Sequence, residues 1–327
     1  MTFGIKRMAA ALLAAGCMLS LAAENALLKY IPAGTEYTVS VNLANLRALP
    51  GYAEITRMAK DQLEMFQTQY GISPESCSRL LFAGGGRKLR GLLIETTVPE
   101  AKLAELLRAR PGSSTGTVEG RKAYFLQLDA SLTGEARKIG LLYLSPEVVL
   151  ATEEEYFPQF LRGLSASEEL RRGLVEVPAD EPPVWGCFNV ASMLKKEKQN
   201  PAVMFLYDVR RILVGLTFPE GTAAEFKADA LCNNPQAAQM IAQLVPSYMA
   251  LGAQFAFAEN PQLGADFLKA FRYSTEGTRT TVVLTVSDDL AGKLQEFGQS
   301  KIMPPDQVPD DVAEGQPAAP VPTPAGK

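Results

Sequence analysis

Val41-Asn42-Leu43-Ala44-Asn45-Leu46 and Phe188-Asn189-Val190-Ala191-Ser192-Met193 are the two stretches on which the reading of the whole chain turns. Each places an Asn one residue before the end of an extended run, then an Ala and a small polar residue before a helix. The run before the first, Glu36–Leu43 (EYTVSVNL), sets Tyr37, Val39, Val41 and Leu43 against Thr38, Ser40 and Asn42. That period of two predicts a half-buried strand. The run before the second, Trp185–Val190, reads as a strand as well. Beyond each motif the same order returns: strand, turn, strand, helix. RLLF…RGLLIETTVPEAKLAELL stands opposite ILVGLTF…AEFKADALCNNPQAAQMIAQLV. The fold class expected is α+β, with two similar, mainly antiparallel sheet-plus-helix units from an internal duplication, their sheets joined or packed. Asn42 and Asn189 could bind a ligand because they recur. An Asn at a strand end more often bonds nearby backbone and sets the turn into a helix.

The other elements follow from periodicity. Ala53–Tyr70 carries Ile55, Met58, Ala59, Leu63, Phe66 and Tyr70 at helical spacing. Arg79–Ala83 and Gly91–Thr96 read as strands across a Gly-rich turn. Thr97-x-x-Glu100 has the form of a capping box, opening a helix to Ala109 with Leu103, Leu106 and Leu107 as its stripe. Strands are expected at Lys122–Leu128, Lys138–Leu144 and Glu147–Ala151, and Thr152-x-x-Glu155 should cap a helix facing Tyr156, Phe157, Phe160 and Leu161 inward. In the second half, Ala191–Arg211 reads as largely helical, and Ile212–Phe218 and Ala224–Leu231 as strands. Asn234 or Asn233 caps a helix kinked at Pro246. Thr280–Val286 is a strand, and Ser287 starts a final helix with Leu290, Leu294 and Phe297.

The ends of the chain differ in kind from its middle. Lys6 and Arg7 precede an uncharged apolar run, Met8–Ala23, and Ser20-Leu21-Ala22 puts small residues where a signal peptidase reads. This predicts a secretory signal over residues 1–22, cleaved after Ala22 or Ala23, and an extracytoplasmic protein. The run is short for a spanning helix, which needs about 20 apolar residues. Leu13-Ala14-Ala15-Gly16-Cys17 offers the alternative of lipidation at Cys17, although the residues after it are apolar where a tether is usually polar. Unit 1 is expected over 23–178, a VPADEPP linker at Val177–Pro183 beginning the transition, and unit 2 over 179–300. The tail from 301 to 327 is Pro, Ala and acid, a composition that buries too little surface to order itself.

Composition excludes more than it assigns. There is no histidine in the chain, so Ser-His-Asp and Cys-His nucleophiles and His-ligated zinc are ruled out. A net charge of −4 without a basic stripe argues against nucleic acid and against an electrostatic hold on anionic lipid. Three cysteines follow the signal. Cys187 and Cys232 are the favoured disulfide pair in an oxidising compartment, against the alternative that all three are small buried hydrophobes. Gly84-Gly85-Gly86-Arg87-Lys88-Leu89-Arg90-Gly91 could cradle a phosphate, but it lacks a P-loop ending and lies between strands, so it reads as a hairpin turn with solvated charges. Glu153-Glu154-Glu155 are sequence neighbours, which rarely face each other across a cleft as glycosidase acids must. Trp185, Phe255, Phe257, Phe267 and Phe271 could line a groove, with Phe267 and Phe271 at core-like helical spacing. No catalytic residue, metal site or cofactor is indicated.

Ile31-Pro32-Ala33-Gly34-Thr35 running into Tyr37–Leu43, together with Val148-Val149-Leu150-Ala151-Thr152, resembles exported bacterial proteins of unknown function built from a duplicated α+β unit. The resemblance implies a fold type and a location and no activity. The function expected is therefore a non-catalytic envelope protein that binds or scaffolds another protein or a cell-wall component. The alternative is an enzyme working through carboxylates or a Tyr/Lys pair on an envelope sugar or peptide.

Overall fold

Twelve strands in one antiparallel sheet form the frame. The structure is a computed structural model and describes residues 27–49, 51–86, 89–128, 137–162, 168–176, 182–196, 201–219 and 223–301. In the first half the strands are β1 (Tyr37–Asn42), β2 (Cys77–Gly85), β3 (Leu89–Thr96), β4 (Ser114–Val118), β5 (Arg121–Leu128), β6 (Arg137–Ser145) and β7 (Val148–Glu153). In the second they are β8 (Val184–Phe188), β9 (Val209–Thr217), β10 (Ala224–Cys232), β11 (Phe271–Glu276) and β12 (Arg279–Val286). The order across the sheet is β11-β12-β10-β9-β8-β1-β2-β3-β7-β6-β5-β4. Read outward from the β1–β8 seam, each half opens with a hairpin and a crossover; the first half then ends in the four strands β7-β6-β5-β4 and the second in the hairpin β12-β11.

The seam itself has two-fold character. Val39 lies opposite Gly186, Tyr37 opposite Phe188 and Val41 opposite Val184. Superposing Asn42 on Asn189 makes Val39 equivalent to Gly186, so the central pair maps onto itself. The closing bonds obey the same relation: Asn42 N–H donates to the Pro183 carbonyl and Asn189 N–H to the Glu36 carbonyl, both at 2.7 Å. The two expected units thus share one sheet.

Helices cover the two faces unequally. On the front face lie α1 (Leu43–Arg47), α2 (Tyr52–Met58), α3 (Lys60–Tyr70) and α4 (Glu100–Arg108). Their Leu43, Leu46, Leu103, Ala104 and Leu107 bury Leu92, Ile94, Leu141, Val149 and Ala151. On the back, α5 (Phe157–Leu161) and α6 (Glu168–Val175) join the lead segment at Leu27 and Ile31 over Leu81, Leu93, Leu142 and Leu150. Beyond the seam come α7 (Val190–Met193), α8 (Pro235–Ala256), α9 (Pro261–Lys269) and α10 (Asp288–Lys301). There the back of the sheet is solvated and laced by ion pairs such as Asp229–Lys227 at 3.2 Å and Arg272–Glu225 at 3.6 Å. Half the sheet is therefore covered on both sides and half on one.

Several expectations require correction. On β1 the polar residues are the deeper ones: Thr38 and Ser40 are fully buried, whereas Tyr37, Val39 and Val41 are half-buried. The reason is the thick back core beneath the seam, which period-two reading alone cannot locate. Neither capping box forms. Thr97 precedes Pro99, the actual N-cap of α4, and offers its hydroxyl to the Ser76 carbonyl at 3.4 Å. Thr152 remains within β7 and donates to the Arg90 carbonyl at 2.6 Å. Leu106 points outward, and Ala104 takes its place in the core. The helix expected over Ala53–Tyr70 is broken at Ala59. Among its described residues, Ala191–Arg211 holds only short helical turns before β9 begins at Val209. Residues 1–22 with Cys17, most of the linker and the tail beyond 301 lie outside the described residues.

No disulfide joins Cys187 to Cys232; both are buried thiols, as is Cys77. Cys187 sits in the back core with Leu170 and Trp185, and Cys232 on the front with Val209 and Ala237. β9 lies between their strands. Two strand spacings, about 10 Å, exceed the roughly 4.4–6.8 Å that a disulfide spans between Cα atoms.

Candidate functional site

The open part of the front face lies at and beside the seam. Residues opposite one another in the ladder share a face, so Phe82, Val39, Gly186, Val214, Ala228 and Val282 form one continuous front row. Apart from Gly186, none of its members is buried, and Phe82 is 41% exposed. A central row of this kind normally receives a helix. Here α4 and its neighbours stop short of it on one side.

At the unit 1 end the row deepens into a groove of about 470 Å³. Val39, Phe82 and Leu92 make its floor, Gln69 and Tyr70 at the end of α3 overhang it, and Ile139 closes the far side. Tyr37 forms one wall, and its position depends on Gly84. A Cβ there would meet the Tyr37 ring at 2.3 Å, so only glycine lets the ring lie flat on β2. Tyr37 also stacks on Phe188, with ring centroids 6.2 Å apart. Tyr70 leans on Phe66 at 5.0 Å, and its burial raises the phenol pKa, keeping it a neutral donor. The polar groups sit at the rim. Arg90 and Glu153 are both directed to the front by alternation, on the adjacent strands β3 and β7. The chemistry on offer is an apolar trough with one cation and one anion at its edge.

The residues singled out from the sequence are dispersed. Asn42 and Asn189 are helix caps: the Asn42 side chain accepts from Asn45 N–H at 3.0 Å and Asn189 from Ser192 N–H at 3.1 Å. Gly84–Gly86 and Leu89–Gly91 belong to the β2–β3 hairpin, with Arg87 and Lys88 outside the described residues; Gly86 has φ +59° and its N–H donates to the Glu36 carboxylate at 2.7 Å. Of the three consecutive acids, Glu153 reaches the groove rim and Glu154 pairs with Lys138 at 2.8 Å on the surface. Trp185 is buried on the back, whereas Phe257, Phe267 and Phe271 pack at the far end of the front, so they line no common groove. No group of three or more Cys, Asp or Glu placed to hold a metal occurs among the described residues. Phe82, on the groove floor, was not anticipated, and Arg90 was weighed only as one of the cations of a phosphate-binding turn. The available signal was Arg79–Gly85 (RLLFAGG), where a strand apolar on both faces should be covered on both and Phe82 is not.

No family model matches the chain, and no curated protein matches it. Among solved structures it is similar to TP0453 in three crystal forms, each at 11% identity. Form I aligns at a TM-score of 0.47 over 83% of this chain and 96% of that one. Forms III and IV align at 0.43, over 83% and 82% of this chain and 97% and 95% of theirs.

Proposed function

We propose that the protein is an extracytoplasmic, non-catalytic binding protein whose working surface is the apolar groove at the sheet seam. The observation that carries this reading is the half-exposed front row through Phe82 and Val39. Burying apolar surface is worth about 25 cal/mol per Å², so a row left open at the centre of a sheet is a standing site for an apolar group. The partner suited to it is an envelope protein or cell-wall component presenting an elongated apolar portion, with Arg90 at the groove rim to meet a polar group at its end. The same reading takes the two halves as products of duplication. It rests on the matching strand order and the self-paired register at Val39 and Gly186. Export rests on the residue 1–22 signal, with lipidation of Cys17 as the alternative. The mature N-terminus read by mass spectrometry separates the two: Ala23 or Glu24 for release, a lipidated Cys17 for tethering.

The binding test uses the mature protein and N-phenyl-1-naphthylamine, a fluorescent apolar probe. Saturable uptake is expected, weakened at least tenfold by Phe82→Asp. Because Phe82 is 41% exposed, the variant should unfold at the wild-type temperature. Absence of saturable uptake, or a variant that binds as the wild type does, refutes the assignment of the groove.

A further inference from the structure

The longest helix has an apolar seam that starts inside the protein and ends outside it. From Ala230 to Ala258 the chain contains no charged residue, and α8 lies within that stretch. Ile241, Leu244, Tyr248, Leu251 and Phe255 recur at alternating steps of three and four, the spacing of a two-helix seam. Ile241 is 3% exposed against the sheet, Tyr248 and Leu251 are each 50% exposed, and Phe255 is 78% exposed. Between the buried and open ends stands Pro246, which has no N–H to give the preceding turn. Beyond it the inward-facing residues change to Ala253 and then Phe257, which pack with Leu263 and Leu290. The original stripe is thereby turned to the surface. Met204 extends the patch at 61% exposure, since its neighbour Phe205 stacks on Tyr248 at 5.0 Å.

We infer that this stripe is a two-fold interface on which a second copy of the chain docks, α8 against α8. Charge favours this occupant. A two-fold interface sets identical patches face to face, so any charge near the axis meets its own kind; α8 has none to oppose. Its polar positions outside the stripe are Gln236, Gln239, Gln243, Ser247 and Gln254, without the Lys and Arg that hold an interfacial helix on anionic lipid. Size is adequate too. Taking about 200 Å² for an aromatic side chain, the exposed parts of Met204, Met240, Tyr248, Leu251 and Phe255 amount to roughly 500 Å² per copy. Two copies would bury about 1,000 Å², the threshold of a specific interface. The composition, rich in Met, Tyr and Phe and free of charge, is that of an interface core.

Sedimentation equilibrium of the mature protein should give a dimer, and Leu251→Glu and Leu251→Lys, near the middle of the exposed stripe, should each weaken it at least thirtyfold. Mixing the two variants in equal amounts should restore dimers, because opposite charges then meet across the axis; a variant that had merely misfolded would not be rescued. A monomeric wild type, single variants that stay dimeric, or a mixture that stays monomeric overturns the inference. So does a protein that is monomeric in solution and floats with phosphatidylcholine vesicles through Phe255, which would assign the stripe to a membrane surface.

Discussion

Asn42 and Asn189 do the same work in both halves, each giving a side-chain oxygen to the first turn of the helix behind its strand. Removing such a cap costs about 1 kcal/mol, and Asn42→Ala and Asn189→Ala should each lower stability by that amount in urea titrations. Their effects should add, because they cap separate helices. Two buried donors set an alkaline limit. Burial pushes the Cys77 thiol up to about 11, the hydrogen bonds of Thr96 and Ser76 opposing it in part. Burial, then the charges of Glu100 and Tyr124, push the Tyr143 phenol up to about 12. Both groups hold their protons in the folded protein after the unfolded chain has lost them, from its ordinary values of 9.0 and 10.0. Stability is therefore complete below pH 9 and declines from there to pH 12. Tyr143→Phe should flatten the upper part of that decline, and urea midpoints at successive pH values would show no difference if the phenol is not responsible. At this scale the sequence was a partial guide. Asn234 and Ser287 cap as their positions predict, accepting from Ala237 and Leu290 N–H. Thr97 and Thr152 have the right spacing but spend their hydroxyls on carbonyls distant in sequence, Ser76 in the turn before β2 and Arg90 in β3, contacts that spacing cannot reveal.

Among the elements, α6 joins the halves most directly. It leads to Glu176, whose carboxylate receives both Arg211 from β9 and Arg279 from β12, the latter at 2.8 Å. The Arg211 side chain is only 4% exposed. Taking the carboxylate away from a buried guanidinium costs about 3 kcal/mol or somewhat more, reduced here because Glu176 is itself one-third exposed. Glu176→Gln should destabilise the protein by about 2 kcal/mol in urea, more than Arg279→Gln on the exposed side of the cluster; equal effects would show that burial of Arg211 is not the cause. The elements that periodicity found are those with a buried apolar stripe, such as β3, β7 and α8. The strands it missed are β4 (STGTV) and β11 (FRYSTE), the two edges of the sheet. An edge strand has one neighbour and little burial, so its side chains need no regular apolar pattern.

For the molecule as a whole, the repeated Asn motif marked the two strand ends that meet at the seam, but the groove was not legible. Its walls come from β1, β2, β3, β7 and α3, and no local pattern states which row of a sheet a helix fails to reach. Sequence likewise left open whether two sheets pack or one sheet continues; the β1–β8 ladder decides it. That seam has a consequence in time. Every other pairing around β1 is with β2, a short way along the chain, while its second partner lies at residue 184. A chain made from its N-terminus completes the β1–β2 pairing early and then carries a bare β1 edge through the synthesis of all the strands up to β8. At the usual pace of about 5–20 residues per second, that edge stays unpaired for on the order of ten seconds, with backbone donors and acceptors open to any strand nearby. The pairing that joins the two halves thus has to wait for β8, and the half-made protein is most vulnerable where the finished one is most symmetric.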